Sequence, residues 1–230
     1  LRAGLRYVLG RAHPRFSLTD LFTGRKIVLV PLNKGVVGGE SARLLGSMIV
    51  GLTWVLALSR ANIPAERRHI VNIYVDELQN YLSLPTDLSD ALAQARGLGV
   101  GMTLAHQYRD QLPLEIRAGI DANCRNKIVF GLNSKDAKDM AAMAPELTAQ
   151  DFMTLPRYQI YTSFQSAGRS TGWVMGRTLP PTPALRVPAE LYARSMAAYG
   201  VPAEEVEEEY LKIFAQNGAA GTDTDNAPIG

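Results

Sequence analysis

Two adjacent carboxylates, Asp76 and Glu77, follow the apolar run Ile70-Val71-Asn72-Ile73-Tyr74-Val75. Runs of this kind are the buried strands of parallel sheets, and functional groups collect beyond the carboxyl ends of such strands. Acids at that rim can hold a divalent cation, or orient and deprotonate a water. A second small and apolar run starts at Gly99 and ends in His106 and Gln107. The Gln107 amide can donate to an anionic oxygen and accept from a water.

The residues between the two runs are what must position them. In Asp87 to Gly97, the residues Leu88, Ala91, Leu92 and Ala95 fall at helical spacing, and Gly97 sits where a C-cap belongs. The order is strand, helix, strand. A right-handed crossover puts both strand ends on one edge of a parallel sheet, so Asp76, Glu77 and Gln107 can converge on one phosphate. An apolar strand ending in Asp-Glu has the form of a Walker B element, in which the Asp holds Mg²⁺ on a nucleotide and the Glu prepares the attacking water.

The order and spacing of "IYVDELQNYLS", "LSDALAQARGLGVGMTLAHQYRDQLP" and "NCRNKIVFGLNSKDAKDMA" resemble the C-terminal half of the motor domain in the HerA/FtsK branch of P-loop ATPases. More narrowly, they resemble the conjugative coupling-protein and HerA-like group. The upstream "GRKIVLVPLNKGVVGGESARLLGSMIVGLTWVLALSRANIPAERR" and the downstream "LPRYQIYTSFQSAGRSTGWVMGRTLPP" also follow that group's layout, so the resemblance covers roughly residues 16 to 182. It implies ATP and Mg²⁺ as cofactors, Asp76 as the Mg²⁺ ligand, Glu77 as the water-orienting base and Gln107 as the γ-phosphate sensor.

It also implies a hexameric ring that moves DNA, with secretion or nuclease partner proteins. Such rings bind nucleotide between subunits and take an arginine from the neighbour. Arg96, in Ala95-Arg96-Gly97-Leu98-Gly99, matches the Ala-Arg-x-x-Gly pattern for that role. An arginine at a helix end also simply complements the helix dipole. Arg125 and Arg177 are weaker candidates. Lys34, Arg109, Lys135 and Lys138 are candidates for DNA phosphates.

One departure stands out. No G-x-x-x-x-G-K-[ST] occurs in the sequence, and the nearest Gly-rich stretch, Asn33 to Ser41, has no Lys after its last glycines. Without that loop there is no nest of backbone N–H groups for the phosphates. The expectation is that the phosphate-binding half lies upstream of Leu1. The competing reading is a non-catalytic binding or assembly module with a degenerate ATPase fold.

Composition narrows the remainder. The chain has 230 residues, 47% hydrophobic, enough for one domain with appendages. Its single cysteine, Cys124, excludes an internal disulfide and a cysteine-based zinc site, and its three histidines show no ligand spacing. Residues 201–230 carry one cation and seven acids. Removing these from the totals of 24 and 22 leaves 23 cations and 15 acids, a net of +8, in residues 1–200. A basic body is compatible with nucleic-acid contact. Leu44 to Ser59 is uncharged but, at 16 residues, falls short of the roughly 20 that span a bilayer. It is expected as a buried core helix, and the protein as cytoplasmic, with any membrane association through sequence outside the chain.

The expected fold is α/β, the distal half of a RecA-like P-loop ATPase parallel sheet with flanking helices, a β-hairpin and a helical C-terminal tail. Residues 1–24 form an N-terminal segment, 25–183 the core, 184–217 the helical tail and 218–230 a disordered tail. Strands are expected at 26–32, 126–131, 159–165 and 172–175, and a helix from Ser134, with Ser134 as its N-cap.

Overall fold

The computed structural model describes residues 5, 8, 9, 13–82 and 88–220. The chain divides into two compact units, Leu1–Thr53 with Ala184–Gly230, and Trp54–Pro183.

In the first unit, Asp20–Thr23 forms a single helical turn, α1, and Lys26 Nζ reaches back to Asp20 Oδ2 at 2.9 Å. Residues 25–33 are irregular, so the strand expected at 26–32 is absent. Its apolar side chains have no ladder partner among the described residues, and Ile27 and Leu29 are 91% and 85% exposed. A strand exists only through pairing, so a β-rich run without a neighbour stays extended but unassigned. A turn of helix, α2 (Lys34–Val37), follows, capped by Asn33, whose side chain accepts from the Gly35 N–H.

The long helix α3 (Gly39–Ser59) crosses the boundary between the units. Where a buried core helix is expected, the helix is buried on one face only. Ala42, Leu45, Trp54 and Ala57 are buried, whereas Leu44, Met48, Leu52 and Val55, spaced four, four and three apart, form an exposed apolar stripe. By length and composition alone, Gly39–Asn62 could cross a membrane, and half of its apolar window is buried.

The second unit contains the residues of interest. Strands β1 (Val71–Val75) and β2 (Val100–Leu104) pair in parallel, Val71 opposite Val100 and Val75 opposite Leu104. The crossover between them carries α4 (Leu88–Ala95), which packs on α5 (Leu114–Asn123). At that crossing a Cβ added to Gly119 would lie 2.2 Å from Ser89 Oγ, so only glycine lets the helices approach this closely. The amino ends of β1 and β2 are held by two arginines. Arg60, buried, donates to the carbonyls of Gly99 and His69, and Arg68 donates to those of Ile63, Ala61 and Gly97.

The remaining strands do not extend this parallel pair. Strand β3 (Lys127–Val129) pairs antiparallel with β4 (Gln159–Ser163). A two-residue hairpin, β5 (Gln165–Ser166) and β6 (Arg169–Ser170), follows β4. Its tip, Ala167 and Gly168, has positive φ at both residues, the form that suits strand twist. Strand β7 (Val174–Arg177) then pairs antiparallel with β4, which gives the order β3-β4-β7. Between β3 and β4 lie α6 (Ser134–Ala142) and α7 (Ala149–Met153). Asn133, not Ser134, caps α6. Its Oδ1 accepts from the N–H groups of Lys135 and Asp136 at 2.9 and 3.0 Å, geometry available only to the residue ahead of the first turn. Phe152 is fully buried and makes edge contacts with Tyr161 at 5.4 Å and Trp173 at 5.8 Å, over Val129, Ala137 and Met140.

The tail is helical. α8 (Pro188–Tyr199) begins with proline at its first position, and α9 (Ala203–Ala220) carries Glu204 and Glu205 in its first turn. Residues 218–220 are therefore helical, and the remainder of the stretch expected to be disordered lies outside the described residues, as do Arg2, Arg6 and Arg11. Within the first unit, Phe16 meets Tyr199 edge-on at 5.8 Å and Arg15 donates to the Gly200 carbonyl at 3.1 Å.

Candidate functional site

The parallel register brings the ends of β1 and β2 level, and the chain continues their ladder for one more step. The Ala105 N–H donates to the Val75 carbonyl, and the Leu78 N–H donates to the Ala105 carbonyl, both at 2.9 Å. Between these two bonds the backbone turns at Asp76 and Glu77. Glu77 takes a left-handed conformation, φ 53° and ψ 47°, a conformation that costs a non-glycine residue of order 1–3 kcal/mol and marks functional sites when the surroundings enforce it. Here Leu78, fully buried one residue later, anchors the turn.

The turn carries the Glu77 carboxylate across to the end of β2. Its Oε1 accepts from Gln107 Nε2 and its Oε2 from Gln79 Nε2, each at 2.5 Å. Asp76 is exposed, and its Oδ1 accepts from the Glu77 N–H at 3.0 Å. Neither acid makes a salt bridge to a described residue. Tyr81 stands nearby. Burial, and then the negative charges of Asp76 and Glu77, push its phenol above the usual range.

His106, half-buried beside Gln107, has a buried Nδ1 without a hydrogen-bond partner among the described residues. Burial, followed by the positive charge of Arg109, holds its imidazole below the ordinary value.

The other candidates lie elsewhere. Arg96 is exposed and precedes β2, at the amino end of the strand pair, a five-residue strand away from Glu77, or about 16 Å at strand rise. The fold does not bring it to the acids of its own chain. Arg125 and Arg177 are exposed. Arg109 is not a surface cation: it is 9% exposed and makes a two-pronged bond to Asp121 at 3.0 and 2.5 Å. Its charge is already matched, which removes it from the DNA-phosphate candidates. Lys135 pairs with Asp110, and Lys34 and Lys138 are exposed.

Two participants, Gln79 and Tyr81, are not among the residues singled out from the sequence, and Arg109 is there given a different role. Gln79 and Tyr81 follow the acids closely and their polar character was available as a signal. Nothing local distinguishes Arg109 from a solvated arginine.

Among the described residues no cluster of three or more His, Cys, Asp or Glu could form a cage for a metal ion. Mg²⁺ needs no such cage, because it binds through one or two carboxylates together with waters and phosphates. Asp76, exposed and without a salt bridge to a described residue, fits as such a ligand.

The site is thus a parallel strand pair joined by a helical crossover, with acids at the end of one strand and an amide at the end of the other. Solved structures share this fold. Plasmid coupling protein TrwB in complex with the GTP analogue GDPNP matches with a TM-score of 0.53 and 21% identity, over 66% of this chain and 40% of that one. The same values hold for TrwB in complex with ADP and Mg²⁺. The chain thus spans about two fifths of the length of the structures it matches. No curated protein sequence matches it. Residues 70–169 match the family described as the TraM recognition site of TraD and TraG. Over this stretch the chain is similar to that family, and over 66% of its length it shares the fold of a conjugative coupling protein.

Proposed function

We propose that this chain supplies the catalytic acid, the Mg²⁺ ligand and the phosphate-reading amide of an ATP-driven DNA motor in conjugative transfer or related DNA processing. The observation that carries the reading is the Glu77–Gln107 contact across the ends of β1 and β2. A carboxylate that would hold the attacking water is thereby coupled to an amide that would meet the γ-phosphate, and both groups must act on the same few ångströms of space. Asp76 would hold Mg²⁺, which when bound neutralises charge on the phosphates. Glu77 accepts a proton from water, or orients the water. Gln107 donates to a phosphate oxygen with the N–H not engaged by Glu77.

The family match supports a role in DNA transfer, and the ligands named for TrwB support nucleotide and Mg²⁺ use. The phosphate-binding loop, absent from residues 1–230, would come from another segment. The placement of Arg96 away from its own acids favours a shared site, in which a ring neighbour, hexameric in this reading, brings it to the nucleotide. The basic body would face DNA, and a protein partner would dock on the family-matched region. The motor would act in the cytoplasm, with any membrane anchor outside this chain.

The test is nucleotide turnover by the protein that joins this chain to a phosphate-binding loop, with and without DNA. DNA-stimulated hydrolysis supports the reading. Nucleotide-independent DNA or protein binding with no hydrolysis supports a non-catalytic assembly module instead.

A further inference from the structure

We propose that Arg109 is the positioning residue for Gln107, and that it acts by tying the segment after β2 to α5 and α6. The proposal rests on the reading of Gln107 as the phosphate-facing amide. Residues 109 and 110 carry opposite charges, and each bridges the same two helices. Arg109 grips Asp121 on α5 with both terminal nitrogens, and its Nε lies 3.6 Å from Asp139 on α6. Asp110 takes Arg117 on α5 at 3.2 Å and Lys135 on α6.

The backbone is held as well as the side chain. The Arg109 N–H points to Asp136 Oδ2 at 3.4 Å. Asp136 is 2% exposed and is itself fixed by Asn133 Nδ2 at 2.8 Å, from the residue that caps α6. A single extended residue, Tyr108, separates Arg109 from Gln107. The segment is thus fixed at one end by the Glu77 carboxylate and at the other by carboxylates of two helices. A shift of α5 against α6 moves the Gln107 amide, because the link between them is too short to absorb it.

The asymmetry of the two bridges identifies Arg109 as the residue that matters. The Asp110 bridges are solvent-exposed and screened, whereas the Arg109 guanidinium is nearly enclosed and bidentate. Lysine cannot reproduce the fork.

The experiment uses NMR and hydrogen exchange on this chain, with Arg109→Lys and Asp121→Asn, and Glu77→Ala as the reference for a lost Gln107 contact. The Gln107 side-chain amide signal is expected to move in both variants toward its Glu77→Ala position. Exchange at the Leu78 and Ala105 N–H groups is expected to speed by about tenfold or more, as for local opening, while Phe152 and Tyr161 stay protected. Should Arg109→Lys fail to fold, Asp121→Asn carries the same test. In the intact motor, turnover is expected to fall by up to about 10²-fold with nucleotide affinity retained, the signature of a misplaced group. A lower melting temperature with the Gln107 signal and the two exchange rates unchanged overturns the proposal. If the Gln107 signal moves and turnover does not, the positioning stands and the phosphate-facing reading of Gln107 fails.

Discussion

Gln107 Nε2 donates to Glu77 Oε1 at 2.5 Å, although thirty positions separate the two residues. The contact exists because β1 and β2 run parallel in register and because the backbone at Glu77 turns left-handed at the end of its strand. Neither condition alone would bring a carboxylate to an amide. The crossover helix supplies the first condition and the buried Leu78 the second.

The crossing of α4 and α5 is close enough to be tested by one methyl group. Gly119→Ala places a Cβ where Ser89 already stands, 2.2 Å from its Oγ and 3.1 Å from its Cα. Overpacking of this kind costs about 1–3 kcal/mol. Urea unfolding should show that loss, and Ser89→Gly in the same chain should restore part of it. Equal stability of Gly119→Ala and the parent would mean that the helices cross further apart.

A second stability test lies at the start of α7. Thr148 Oγ1 accepts from the Asp151 N–H, and Asp151 Oδ2 accepts from the Thr148 N–H at 2.7 Å, a closed capping box. Thr148→Ala should cost about 1 kcal/mol. The Thr148 hydroxyl, followed by its backbone N–H, holds the Asp151 carboxyl below the usual range. A depressed acid contributes stability that is present above its unfolded pKa, near 3.9, and is lost as pH falls through the lower folded value. The melting-temperature difference between parent and Asp151→Ala should therefore be constant from pH 7 to about pH 5 and close below about pH 4. A difference that grows on acidification would contradict the box.

Cys124 should behave as a buried thiol. It is partly covered, and burial pushes its pKa upward. The thiolate is the reactive form, so alkylation at neutral pH should be much slower in the folded chain than in urea. Equal rates would show that the α5 terminus is open.

The sequence makes legible what depends on nearby residues. The apolar runs ending at Asp76-Glu77 and His106-Gln107 and the helix between them are all set by local spacing and punctuation. What depends on distant partners is not legible. Ile27 to Val30 has the composition of a strand and none of the neighbours. Arg109 has the composition of a surface cation but finds Asp121, Asp136 and Asp139, which come from two later helices. The cap of α6 fell to Asn133 over the adjacent Ser134 through side-chain reach, a difference of one residue that composition cannot resolve.

Arg96 discriminates between two roles of very different size. Acting in trans on a neighbour's nucleotide, it would contribute about 10³-fold or more to turnover. As a helix-end cation it is worth at most about 1 kcal/mol of stability. Arg96→Ala in the intact motor should lose turnover and keep its fold. Mixing it with subunits that lack a working phosphate loop but retain Arg96 should restore some activity. Confirmed mixed rings without any rescue would exclude Arg96 from the shared site.

The central claim is that Glu77 prepares water and Asp76 holds the metal. The most direct measurement is Glu77→Gln in the intact motor, with nucleotide affinity and steady-state hydrolysis read on the same preparation. The amide keeps the shape of the side chain but can neither take a proton nor orient water as a carboxylate does. Affinity is expected to stay close to the parent while turnover falls to background. Turnover at the parent's level would contradict the account and reduce Asp76-Glu77 to the polar end of a strand.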